Sequence, residues 1–159
     1  MTDNLCNIQY DSLTFNTGGN LEIILREWIP APENTPTIYD GMPLRPEMRL
    51  FYDFDRHVYL YHVNYWDWDY CHEAIRRNPE DKEVYEKAYP ALEQNYSQWS
   101  KLCEPAIVKA LRQVKGLGGK WSVDFILEPD RRPWLIDMAV AERSAYWNLI
   151  AANTPNNNL

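Results

Sequence analysis

The sequence predicts an α+β fold, an antiparallel sheet of hairpins with helices packed on one face. Residues 47–65 and 121–140 alternate apolar and polar with the period of two that half-buried strands require. Residues 79–115 instead repeat their apolar side chains at helical spacing. The order strand, hairpin, helices, hairpin contains no strand–helix–strand repeat, which points away from a parallel sheet.

Taken along the chain, residues 1–20 form a polar segment ending in the turn signal Thr17-Gly18-Gly19-Asn20. Leu21–Ile29 reads as a mostly buried strand stopped by Pro30. The stretch from 30 to 46 carries five prolines and reads as a long loop of restricted conformations. In 47–65, Leu50, Tyr52 and Phe54 alternate with Arg49, Phe51 and Asp53, and a turn at Asp53–His57 closes a hairpin. Three helices are expected next. The first opens at Pro79-Glu80-Asp81 with acid in its first turn and is interrupted by Pro90. The second covers about 91–102, and the third starts at Glu104-Pro105 and is capped by Lys115-Gly116. Trp121–Leu127 and Trp134–Val140 form a last hairpin around Glu128–Pro133, and 151–159 is a frayed tail. Residues 21–150 are thus expected to form one folded unit.

Composition narrows the function. The formal charge of −7 disfavours sequence-independent nucleic-acid binding, which needs a basic field, but leaves ATP open because Mg²⁺ can bridge acids to phosphates. Cys6, Cys71 and Cys103 are odd in number and form no CxxC pair, so neither a disulfide framework nor a zinc ribbon is indicated. Neither a signal peptide nor a run of membrane-spanning length is visible. A reduced, cytoplasmic protein without membrane partners is expected. Seven Trp and eleven Tyr exceed what so short a chain can bury completely, so many should line a cleft or an interface.

The last hairpin carries the sharpest chemistry. If its loop is 128–133, then 127 faces 134, Asp124 lies opposite Asp137 and Ser122 opposite Ala139. The reverse face, with Trp121, Val123, Phe125, Leu127, Trp134, Ile136 and Met138, is core material. Directly opposed like charges, their Cβ atoms about 4.5–5.5 Å apart, destabilise a sheet. The repulsion must be offset by a cation such as Mg²⁺, by a raised pKa, or by a nearby base. Lys120, Arg131, Arg132 and Arg143 are the bases close in sequence.

Other clusters read as ordinary structure. Gly116–Lys120 lacks phosphate-loop spacing and follows a helix, so it is a connector. Asp67, Asp69, Cys71 and His72 fit no regular metal motif, and their segment suits an aromatic rim beside a substrate better. His57 and His62 are sheet residues, and Ser144 lacks the partners and elbow of a hydrolase nucleophile.

Three blocks, Ile24–Ile29, Pro46–Phe54 and Trp121–Trp147, follow one another in the order found in the ATP-grasp superfamily. The chain resembles the C-terminal half of such a domain, above all the short viral and bacterial members and the related chaperones that assemble a translation initiation factor. The resemblance implies ATP and Mg²⁺ as ligands, with carboxylate–amine ligation through an acyl phosphate as the chemistry. It implies that Arg26, Glu27, Trp28 and Ile29 lie against adenine and that Glu47 reaches the ribose. It further implies that Asp124 and Asp137 hold the metal and that Arg49 is the catalytic candidate on the substrate or phosphate side. Ala139 and Ser122 stand where the family has an Asn ligand and often an Arg. Only about 20 residues precede the hinge strand, so the chain is expected to be a fragment, a reduced member of the family, or the partner of another chain that carries the lysine-bearing subdomain. The alternative is an inactive, ATP-grasp-derived interaction or chaperone-like module.

Overall fold

The computed structural model describes residues 29–75, 78–130 and 132–148. The chain divides into two compact units, 1–30 and 31–159. Of the first only Ile29 and Pro30 are described, so the predicted strand up to Trp28 lies outside the described residues, as does the tail.

The second unit is α+β, with antiparallel strands and one long helix. A small hairpin comes first, β1 (Thr37–Ile38) and β2 (Met42–Pro43). Its turn puts Tyr39 and Asp40 at φ 49° and 58°, followed by Gly41 at 114°. The second hairpin is β3 (Glu47–Asp53) and β4 (Val58–Asn64). Two helices follow, α1 (Trp68–Ile75) and α2 (Pro79–Leu111), then β5 (Lys120–Ile126), β6 (Trp134–Val140) and a 3-10 turn, Ala141–Arg143. The four long strands lie in the order β4-β3-β5-β6, all neighbours antiparallel.

The three expected helices are one. Asn78 caps it through Oδ1, which accepts from the backbone N–H of Glu80 and Asp81, and Pro79 occupies the tolerated first turn. Pro90 and Pro105 lie inside the helix. Each removes one backbone donor, but the helix continues because its buried face runs through both. Tyr85 and Leu92 flank the first proline, Cys103 and Ile107 the second. The helix ends at Arg112, so Lys115 and Gly116 belong to the connector, not the cap.

Alternation divides the sheet as expected. Met48, Leu50, Tyr52, Val123, Phe125 and Leu127 pack on Cys103, Ile107 and Leu111 of α2. A second cluster, with Ile38, Leu44, Trp66, Ile75, Tyr85 and Leu92, ties the small hairpin and α1 to the N-terminal half of α2. The other face of the sheet is partly covered by the chain after β6, where Ala141 and Tyr146 pack on Phe51.

The β5–β6 register departs from the simple count. Trp121↔Val140 through Asp124↔Asp137 pair as alternation predicts, but a bulge shifts the rest to Phe125↔Leu135 and Ile126↔Trp134. One extra residue on β6 turns its start outward. Trp134, expected in the core, is therefore exposed, as is Leu135.

Candidate functional site

A row of side chains crosses the sheet on the face away from α2. Val63 pairs with Arg49, Arg49 with Asp124 and Asp124 with Asp137. The two aspartates are cross-strand neighbours, as loop length and alternation predict. What offsets their repulsion on the β5 side is Arg49, a base distant in sequence. Its Nε donates to Asp124 Oδ1 at 2.8 Å and its Nη2 to Oδ2 at 2.7 Å. This two-pronged fork is nearly buried, with side-chain exposures of 11% and 6%. Such geometry is among the strongest a carboxylate can find.

Arg49 serves more than Asp124. Its guanidinium lies 4.9 Å from the centre of the Tyr65 ring, and its Nη1 reaches the Ala145 carbonyl at a long 3.5 Å. Asp137, by contrast, is exposed on the outer strand. Among the described residues no three or more His, Cys, Asp or Glu side chains converge as a metal cage. Two carboxylates suffice for Mg²⁺ when phosphates and water complete its shell. Both oxygens of Asp124 are already engaged, so Asp137 is the freer ligand.

Glu47 opens β3 and is buried. Burial pushes its carboxyl up to about 8, and the Asp124 carboxylate adds to the rise. Arg45, Trp66 and Arg49 pull the other way. Arg45 is itself paired with Glu128, as Arg49 is with Asp124. The Trp66 indole N–H, close to Glu47, is buried and makes no bond of normal geometry.

Ser122 and Ala139 sit opposite one another. The Ser122 hydroxyl lies 2.5 Å from that of Ser144 and contacts the Ala139 carbonyl at 3.3 Å. Ser144 in turn donates to the Val140 carbonyl. These residues pin the turn after β6 onto the sheet.

Beside the row lies a pocket of about 170 Å³, which no sequence pattern announced. Arg49 and Ala145 supply its polar edge, and Tyr65, Trp66, Tyr70 and Tyr146 its aromatic walls. Tyr70 rides on α1 and Tyr146 on the turn after β6, while Tyr65 and Trp66 lie between β4 and α1. Tyr146 holds φ at 72°, a conformation uncommon for a bulky residue. Its hydroxyl donates to the Tyr65 carbonyl at 2.7 Å, and its ring packs on Tyr70 at 4.4 Å. Burial raises the Cys71 thiol's pKa, so that wall residue is no ready nucleophile.

Of the remaining predicted residues, Arg26, Glu27 and Trp28 lie outside the described residues, and Ile29 is half-buried. Asp67 accepts from the Tyr70 N–H and starts α1, while His72 stacks on Trp68 and meets Glu86. His57 lies in the β3–β4 turn. His62 bridges the sheet to α2, its Nδ1 2.6 Å from the Tyr96 hydroxyl and its Nε2 3.1 Å from Glu104. Among the described residues no helix is long and apolar enough to cross a membrane. Compared with known proteins, the chain matches no protein-family model, no curated protein and no solved structure.

Proposed function

We propose that the chain binds ATP with Mg²⁺ on the polar face of its sheet, in the manner its ATP-grasp-like sequence blocks imply. The observation that supports this best is the row Arg49, Asp124, Asp137 across three neighbouring strands. It sets a planar donor fork beside two carboxylates, the pairing of groups that a phosphate and its cation require. Asp137 and Asp124 would hold the metal, which supplies charge neutralisation to the phosphates when bound. Arg49 orients Asp124 and keeps one nitrogen for a further acceptor. Glu47 stands on the same face as the ribose candidate.

Binding is favoured over turnover. Ser122 and Ala139 are committed to holding the turn after β6 and offer no additional ligand or base. Ligation through an acyl phosphate would therefore call on groups beyond this face of the sheet. A cytoplasmic setting suits a thiol such as that of Cys71.

Calorimetry with ATP and Mg²⁺ on this chain and on Asp137→Ala tests the reading. Metal-dependent binding that disappears in the variant is expected, and silence at millimolar nucleotide would sink it. The second reading, an interaction module without nucleotide, is favoured by β6. Among the described residues that strand exposes Trp134 (40%), Leu135 (50%) and Val140 (41%), a cluster of apolar surface.

A further inference from the structure

The aromatic pocket beside Arg49 has a chemistry of its own. At about 170 Å³ it is far smaller than a drug-sized site. It matches the scale of an apolar cavity of ~150 Å³ that holds benzene. A single six-membered ring with one small substituent fits that volume. The walls favour such a ring, because Tyr65, Trp66, Tyr70 and Tyr146 present aromatic surfaces suited to stacked or edge-on contact.

The polar edge selects the substituent. Arg49 Nη1 and the Ala145 carbonyl are 3.5 Å apart, beyond the usual ~2.9–3.0 Å of a good N–H···O bond. A donor and an acceptor thus stand side by side and are only loosely satisfied by each other. A primary carboxamide carries the complementary pair, a carbonyl to accept from Nη1 and an N–H to donate to Ala145. Charge excludes the near relatives. Asp124 already balances Arg49 through both of its oxygens, so a carboxylate would add a second, uncompensated negative charge. An ammonium group would meet the guanidinium.

We infer that this pocket is a binding site for a small, neutral, planar ring bearing a carboxamide, held by Arg49 and Ala145 at one end and by the tyrosine walls around it. Nucleotide is not required, since the lining residues complete the pocket without it.

Benzamide is the probe, with benzoate as its charged counterpart of equal size, each titrated into the full chain without nucleotide by ligand-observed NMR. Benzamide should bind, and benzoate should bind at least about tenfold more weakly, a difference of ~1.4 kcal/mol. Tyr70→Ala removes one wall at a residue 45% exposed and should weaken benzamide by about tenfold. Met42→Ala, at the other rim and 36% exposed, serves the same purpose should the first variant fail to fold. No binding of benzamide, equal binding of benzoate, or wild-type affinity in a folded rim variant would each overturn the inference. A separate Mg²⁺–ATP titration keeps the two sites distinct, because either ligand can fail while the other binds.

Discussion

Removing the Arg49 guanidinium would leave Asp124 charged, 4% exposed and without its fork. Breaking one half of a buried pair typically costs ~3–5 kcal/mol. Arg49→Met should lower the urea midpoint accordingly, and a loss below ~1 kcal/mol would show that something else holds the aspartate. Glu47 gives a different signature. Its folded pKa of about 8 exceeds the ordinary 4.5, so the native chain keeps a proton that the unfolded chain has released. Its contribution to stability is full below pH 4.5 and is lost as pH rises to about 8. Urea titrations across that window, in chelator, should show a falling limb of at most ~1.4 kcal/mol per pH unit, flattened in Glu47→Gln. At this scale the sequence was half legible. The facing of Asp124 and Asp137 follows from loop length and alternation, which are local. Arg49 stands 75 positions from Asp124, and their pairing depends on which strands become neighbours, something no local pattern encodes.

Elements show the same division between local and tertiary causes. Both long hairpins were readable from period and turn chemistry. The bulge after Asp124 was not, because alternation and loop length do not encode where a register shifts. The helix α2 was misread in a consistent way. Proline weakens an isolated helix by ~3 kcal/mol per residue relative to alanine, yet burial of a continuous face overrides it here. Pro90 is exposed, so Pro90→Ala should restore a backbone bond without disturbing packing. Part of the gain is offset by the freer unfolded chain, and a net ~1–2 kcal/mol is expected in thermal unfolding. An unchanged or lower transition would mean that the proline shapes the helix in a way the fold needs. Asn78→Ala should act in the opposite sense, by about 1 kcal/mol, through the lost cap.

For the whole molecule, the outer strand β6 decides behaviour in solution. It carries Trp134, Leu135 and Val140 exposed. Leu135→Lys should leave the unfolding midpoint within about 0.5 kcal/mol while reducing concentration-dependent association in sedimentation. Identical sedimentation of the two proteins at high concentration would show that the edge is inert. The order β4-β3-β5-β6 also sets a sequence of events in time. The β3–β4 and β5–β6 hairpins each close a short loop, but joining β3 to β5 spans both helices. Closing so long a loop is the entropically slow part of assembly. Each hairpin can therefore form early by itself, and the seam between them is sewn last. The Arg49–Asp124 fork and the polar edge of the pocket lie on that seam. In a refolding experiment, ligand binding would therefore be among the last properties to return, appearing only after most of the secondary structure has recovered.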